Sequence, residues 1–497
     1  MSAKSSRPKK SKTQARELLF GDLWEFDPAP ESADPKIASR YKLFIDGKHV
    51  APKSRKHFDS LSPRDGKKLS SIPQAGKADV DAAFAAAKKA FTSWSKLSGA
   101  ERGKYLFRIA RLLQDRSREF AVAETLDGGK PIKESRDFDL PMAAAHFFYH
   151  AGWADKLEYV APGRKLKPLG VIGQIIPWNF PMLMLAWKIA PALATGNTVV
   201  IKPAETTSVT ALKFATILEQ AGLPPGVVNI ISGDGETGAA IVNHSTAAKI
   251  AFTGSTEVGK LIQKSLAGTG KKLTLELGGK AANIVFDDAP IDQAVEGVIN
   301  GIFFNQGHVC CAGSRLLVQE SIAKEFTTRL KRRLAVLRVG DPLDKNTDVG
   351  AINSAEQLAK IKELVKSGVD QGAEIHQPKC KLPRSGYYFT PTLFTGVAQS
   401  HRIAREEIFG PVLSVLTFRT PEEAIEKANN TPFGLSAGIW TDKGSKILSM
   451  TSKLKAGVVW ANTYNQFDPS SPFGGYKQSG FGREGGKHGL LDYTSIA

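Results

Sequence analysis

LGVIGQIIPWNFPMLMLAWKIAPALATGNTVVIKPAE, residues 169–205, decides how this chain folds. It opens on a strand-length apolar run at 170–176 (GVIGQII) and closes on a β-branched one at 198–202 (TVVIK), with a helical stretch between. Two more runs of the same texture follow, VVNII at 227–231 and KIAF at 249–252. Strands that alternate with helical stretches predict a parallel sheet, because parallel neighbours need a long crossover. A second series comprises LTLEL (273–277), NIVF (283–286), RLLV (315–318) and PVLSVLTF (411–418). These predict a second α/β domain, with a hinge around Gly278 and Gly279. Upstream, Val80, Phe84, Ala87 and Phe91 share one helical face, and Leu106, Ile109 and Leu113 share another. The fold class expected is therefore α/β.

Size and composition agree. A chain of 497 residues exceeds what one hydrophobic core holds. With 42% hydrophobic and 23% charged residues it is neither disordered nor fibrous. Its three cysteines, Cys310, Cys311 and Cys380, make no disulfide framework and suit a reducing compartment, so a cytoplasmic location is expected. Six cations (Lys4, Arg7, Lys9, Lys10, Lys12, Arg16) precede the first acid, Glu17, and supply much of the net charge of +18. Residues 1–40 read as a solvated basic tail followed by an extended arm; a targeting role, or contact with nucleic acid or another anionic surface, stays open. The tail lacks the apolar core of a secretory signal. The longest apolar stretch, Met182 to Trp187, is bounded by Pro181 and Lys188, so no membrane span is expected.

Three segments carry chemistry. In FFNQGHVCCAGSR (303–315), Cys310 sits in a loop between a helix and a strand, flanked by Gly307 and Gly313 that let a substrate approach the sulfur. A thiol of ordinary pKa, about 8.5, becomes an effective nucleophile where its site lowers that value. A buried structural cysteine is the plainer alternative. His308 stands two residues away and could serve as its base, although such bases usually come from elsewhere in a sequence. Joining His308, Cys310 and Cys311 with His376 and Cys380 gives none of the usual zinc spacings, and no metal is expected. In PWNFP (177–181), two prolines fix the backbone around Asn179, whose amide can donate to a developing oxyanion; the alternative is an asparagine in a turn. In LELGGK (275–280), apolar neighbours of Glu276 would raise its pKa toward that of a general base; the alternative is a lysine-paired glutamate. Two loops compete for a dinucleotide phosphate: GDGETG (233–238), with Glu257 downstream, and FTGSTEVG (252–259), with Ser255 opening a helix.

In this order, PWNFP, IKPAE (201–205), FTGSTEVG, LELGGK, GHVCCAGSR, EEIFGPV (406–412) and PFGGYKQSGFGRE (472–484) closely resemble the aldehyde dehydrogenase superfamily, from about residue 42 almost to the end. The resemblance implies that Cys310 attacks an aldehyde and that the Asn179 amide and the Cys310 N–H hold the oxyanion. It further implies a thioester left by hydride transfer, hydrolysed by water that Glu276 activates, with Lys188 and Glu484 in the proton relay. For the cofactor it implies Lys202 and Glu205 at the adenine ribose, Ser255 at the pyrophosphate and Glu407 at the nicotinamide ribose. Trp178, Gly235, Phe252, Gly254, Gly259 and Phe409 complete that wall, and FTGSTEVG is the phosphate loop. A carboxylate at 205 would repel a 2′-phosphate, so NAD is expected in preference to NADP.

The implied fold has a Rossmann-like cofactor domain (41–146 and 169–278), an α/β catalytic domain (279–478) and an oligomerisation flap (147–168 and 479–497), the flap built on a hairpin near 147–168. A homo-oligomer is expected. Two departures stand out. His308 replaces the Gln or Glu usual before the nucleophile. The chain also ends at YTSIA, short of the closing strand used for subunit contacts, and its arm (DPAPES) resembles a two-module branch in which a second dehydrogenase-like module follows. Glu276 argues against thioester transfer to coenzyme A, and the presence of Asn179, Glu276 and Cys310 together argues against an inert scaffold. Phe180, Trp187, Val309 and Phe467 suit a hydrophobic or aromatic aldehyde, and suit core packing equally well.

Overall fold

The structure is a computed structural model that describes residues 28–496. Two sheets organise it. The first has the order 48–50, 43–45, 228–230, 198–202, 171–175, 247–253, 272–276, 480–481. Its five central strands are parallel, and all five were anticipated to within two or three residues. The second sheet runs 374–376, 392–395, 412–418, 315–319, 282–285, 436–440, 458–461, parallel except at its first strand. Its outer strands were not predicted, nor were the antiparallel edges of the first.

The strand Val171–Ile175 and the helix Pro181–Ala194 show why the opening stretch is so apolar. The helix starts on a proline, whose missing N–H costs nothing at that position, and every one of its residues is buried. It therefore has no polar face. The helices Lys77–Trp94 and Gly99–Asp115 instead bury one stripe each, including Val80, Phe84 and Ala87 in the first and Leu106, Ile109 and Leu113 in the second. Gly99–Asp115 is entered through a capping box: Ser98 Oγ accepts from Glu101 N, and the Glu101 carboxylate accepts from Ser98 N.

The chain passes from the first sheet to the second through residues 277–281, where the hinge was expected, and close packing explains the glycine pair. A Cβ on Gly278 would lie 2.3 Å from the Glu407 carboxylate, and one on Gly279 would lie 2.4 Å from the Cys310 carbonyl.

The flap needs correction. Residues 147–153 are the end of the helix Leu140–Trp153, and only Leu166–Pro168 is a strand, so no hairpin spans 147–168. Gly480–Phe481 pairs with Glu276 and Leu275 and so belongs to the first sheet. Thr494–Ile496 is a three-residue strand that pairs antiparallel with Leu166–Pro168. The arm at 28–40 lies extended, anchored by Glu31 N to the Leu343 carbonyl and by the Glu31–Arg118 ion pair. The basic tail lies outside the described residues. Among the described residues, no helix is long and apolar enough to cross a membrane.

Candidate active site

In the first sheet, strand 171–175 is followed in sequence by 198–202 and 228–230 on one side, while 247–253 and 272–276 extend the other. The order reverses between 171–175 and 247–253, and ligands of open α/β sheets bind at the carboxyl ends of strands at such a switch point. A cavity of about 680 Å³ opens there. PWNFP leaves one of these two strands and FTGST the other.

Cys310, Asn179 and Glu276 all line this cavity. The loop that carries Cys310 is locked from both sides. In front, Asn179 Nδ2 donates to the His308 carbonyl (2.8 Å), and Asn305 Nδ2 donates to the Asn179 carbonyl (2.8 Å). Behind, the Cys311 carbonyl accepts from Tyr464 Oη (2.8 Å) and Ser436 Oγ (3.0 Å). The loop enters through successive left-handed residues, Asn305, Gln306 and Gly307 (φ 49°, 52° and 75°).

The Cys310 N–H has no acceptor among the described residues, and one N–H of the Asn179 amide is uncommitted. The Cys311 thiol beside it, together with burial, holds the Cys310 thiol well above its ordinary range. Both oxygens of Glu276 are buried without a hydrogen bond. Burial, and then the Glu484 carboxylate, hold Glu276 well above the usual carboxylate range. Lys188 and Glu484 do not reach the cavity; they form a buried ion pair behind it.

His308 is not placed as a base. Its ring stands edge-on to Trp178 (4.8 Å) and stacks on Phe409 (5.7 Å), and its Nε2 has no hydrogen-bond partner. Burial pushes its pKa down to about 3, so it is a neutral, packed residue.

Of the expected cofactor residues, Trp178, Lys202, Glu205, Gly235, Phe252, Gly254, Ser255, Glu407 and Phe409 line the same cavity. Gly259 does not. It lies one turn into the helix Thr256–Leu266, where a Cβ would lie 2.5 Å from Leu277, so it lets the helix pack closely. Ser255 caps that helix through Val258 N, which leaves the Thr256 and Glu257 N–H groups without acceptors among the described residues. Free amides at the positive end of a helix fit a diphosphate. GDGETG also borders the cavity, its Asp234 capping the helix Gly235–Asn243. Glu205, exposed at the mouth, is held by Lys202 at 2.8 Å. Glu407 accepts from Gly279 N (3.0 Å), and burial raises its pKa to about 7.

Sequence reading missed several supports. Gln357 Nε2 donates to the carbonyls of Ile408 and Phe409, fixing the backbone beside Glu407. A buried cluster of Glu124, Lys130, Glu134 and Asp139 stands behind the Cys310 loop. Lys130 pairs with Asp139 and lies 4.1 Å over the Phe180 ring, while Glu134 accepts from Asn305 N at 2.9 Å. The glycine of NQG was the only cue to the left-handed turn.

Comparison with known proteins gives one answer. The model of the aldehyde dehydrogenase family matches residues 49–497. Retinal dehydrogenase 2 of Homo sapiens is 46% identical over 480 residues, covering 94% of this chain and 92% of that protein. The mitochondrial aldehyde dehydrogenase of Sus scrofa is 44% identical over 497 residues, covering 97% and 95%. An NAD+ complex of aldehyde dehydrogenase from Bacillus cereus superposes with a TM-score of 0.91 at 39% identity, covering 94% and 99%. With a thiol, an uncommitted amide and a buried carboxyl gathered at the switch point, and with kinship along nearly the whole sequence, the chain belongs to the aldehyde dehydrogenase family.

Proposed function

We propose that the enzyme oxidises an apolar aldehyde to its carboxylic acid with NAD, using Cys310 as nucleophile and Glu276 as base. The observation that carries this reading is the convergence of Cys310, Asn179 and Glu276 on one cavity that also holds a free helix N-terminus.

The Cys310 sulfur bonds to the carbonyl carbon as its proton leaves to solvent water, which keeps Glu276 free to act as base in the later hydrolysis. Negative charge grows on the carbonyl oxygen, where the Asn179 amide and the Cys310 N–H donate. Because Asn179 is already fixed to the His308 carbonyl, little reorganisation is needed as charge develops. Bound NAD supplies the hydride acceptor, and Glu205, Ser255, the amides of Thr256 and Glu257, and Glu407 are the residues that would hold it. Loss of hydride leaves a thioester on Cys310. Glu276 then takes a proton from water as its oxygen bonds to the thioester carbon, the C–S bond breaks and Cys310 is regenerated. Glu205 at the mouth favours ribose hydroxyls over a 2′-phosphate.

The apolar wall supports the substrate class. Phe138, Met142, Leu183, Trp187, Phe467 and Phe473 face the cavity, with Trp187 and Phe473 in ring contact at 5.2 Å. An assembly of like chains, or with a second dehydrogenase-like module, would use the 166–168 and 494–496 strand pair, and three free thiols fit a reducing, cytoplasmic setting. The six cations that lead the sequence suit contact with an anionic surface.

NADH formation from a panel of aldehydes tests the reading, run with wild type and Cys310→Ala, with NAD or NADP, and with or without coenzyme A. Activity that needs NAD and Cys310 but not coenzyme A is expected. A requirement for coenzyme A would replace water as the thioester acceptor, and activity in Cys310→Ala would overturn the assigned nucleophile.

A further inference from the structure

Away from the reacting groups and the cofactor residues, the cavity wall is apolar, with Phe138, Met142, Leu183, Trp187, Phe467 and Phe473 among its lining residues. One imidazole interrupts it, that of His146. Phe138, Met142 and His146 follow one another at four-residue spacing where the chain enters the helix Leu140–Trp153, so they present one face to the cavity. The His146 ring is 1% exposed and packs against Trp187 at 5.3 Å. Trp187 directs its indole N–H toward Gly485. It stands six residues, about 9 Å of rise, into the helix Pro181–Ala194, which begins two residues after Asn179. Measured along that helix, His146 lies about the length of an extended six-carbon aldehyde from the Asn179 end.

Most buried polar side chains find a partner within the protein. His150, one turn on, does so through Nδ1, which donates to the His146 carbonyl at 2.8 Å. The His146 ring does not. Neither of its nitrogens has a hydrogen-bond partner among the described residues, and the His150 ring is stacked 6.0 Å away. His308 is also unpaired at Nε2, but it packs between Trp178 and Phe409, whereas His146 lines the cavity. Burial, and then His150, hold the His146 ring well below the ordinary imidazole range. A neutral ring has one N–H to donate and one nitrogen to accept, and a hydroxyl answers either. A carboxylate would find no cation here, because Lys202 and Lys360, which line the cavity, stand beside Glu205 and Glu407 among the cofactor residues. An ammonium would exchange its water shell for a single neutral acceptor.

Resting on the reaction proposed above, we propose that His146 determines specificity, and that the preferred substrate is an aldehyde with an apolar body and a neutral hydroxyl carried away from the aldehyde carbon. The hydroxyl pairs with the imidazole while the apolar body fills the space between the aromatic rings. An aldehyde of the same shape without the hydroxyl shuts the imidazole away from solvent with no partner. Discrimination comes from that loss, because a site that hydrogen-bonds a hydroxyl rejects the analogue lacking it. A leucine in place of His146 would serve packing alone and leave no polar atom unpaired.

The test measures NADH formation by the full chain on matched pairs of aldehydes, para-hydroxyphenylacetaldehyde against phenylacetaldehyde and ω-hydroxyhexanal against hexanal. In wild type, kcat/KM for the hydroxy member of at least one pair should exceed that for its partner by about tenfold. His146→Leu should bring that ratio to one or below, chiefly by raising KM for the hydroxy aldehyde. His146→Gln, which keeps a donor and an acceptor, should retain part of the preference. Both members of a pair are measured on one preparation, so any loss of folded enzyme cancels in the ratio. A wild type that favours neither hydroxy aldehyde, or a preference that survives unchanged in His146→Leu, overturns the assignment of His146. A wild type that oxidises none of the four with NAD overturns the parent reaction instead.

Discussion

Asn179 Nδ2 donates to the carbonyl of His308 at 2.8 Å, so the residue proposed to stabilise the oxyanion also fixes the loop that carries Cys310. One amide hydrogen is used structurally and the other faces the cavity. Asn179→Ala therefore loses two functions at once, and turnover should fall by on the order of a hundredfold to a thousandfold. The NADH burst should slow with it, because the oxyanion forms before hydride leaves. A full-speed burst in this variant would show that Asn179 serves only the loop.

Glu276 should act on a different step. In Glu276→Gln the carbonyl donors and Cys310 remain, so a burst of NADH is expected, with steady turnover lower by about a hundredfold or more. The pH dependence has a defined sign. The base works only when ionised, and burial with the nearby Glu484 carboxylate holds its pKa well above the usual carboxylate range. Turnover should rise with pH along a limb well to the alkaline side of an ordinary glutamate. That limb should vanish in Glu276→Gln; if it persists, another group titrates.

Glu205→Gln should change the choice of cofactor. Removing the exposed carboxylate relieves repulsion of a 2′-phosphate and leaves Lys202 unpaired to attract one. The ratio of kcat/KM for NADP over NAD should increase by about tenfold or more. An unaltered ratio would mean that selection lies elsewhere on the wall.

The central strands of both sheets and the segments that bring Cys310, Asn179 and Glu276 to one cavity were legible because each rests on a local signal: apolar runs of strand length, and short motifs with prolines or glycines at fixed offsets. Other features depend on distance in the chain. Gly480–Phe481 is too short to show periodicity, and only its pairing with Glu276 and Leu275 makes it a strand. His308 read as a candidate base by its spacing from Cys310, and the fold instead packs it between Trp178 and Phe409. Gly259 fitted a phosphate motif and serves helix packing. Glu134 gave no cue because its partner, Asn305, lies 171 residues away.

Glu134 also predicts how stability varies with pH. Burial raises its folded-state pKa to about 8 from an ordinary 4.5. The folded protein therefore keeps a proton that the unfolded chain releases first. The stabilising contribution is complete below about pH 4.5, declines as pH rises and is gone above about 8. Glu134→Gln can still accept from Asn305 N and cannot ionise. Its melting temperature relative to wild type should therefore rise between pH 5.5 and 8. A difference that stays flat over that range would mean Glu134 is already ionised in the fold.

Gly307 offers a sharper geometric test. Its φ of +75° disfavours any residue with a Cβ, and a Cβ there would lie 2.1 Å from the Gly410 carbonyl oxygen, which is backbone and cannot rotate away. Gly66 has the same conformation, φ +74°, with nothing within 4 Å of a Cβ. Gly66→Ala thus suffers only the conformational penalty, about 1–2 kcal/mol. Gly307→Ala adds a collision in a loop already held by Asn305 and Gln306, so its loss should exceed that of Gly66→Ala by roughly 1–3 kcal/mol. It should also reduce turnover, because relief of the clash must move the segment leading to Cys310, whereas Gly66→Ala should leave turnover unchanged. Chemical denaturation of the two variants side by side checks the difference. Equal losses would mean that the segments at 307 and 410 can separate freely, and the Cys310 loop would then owe its shape to the hydrogen bonds of Asn179, Asn305, Tyr464 and Ser436.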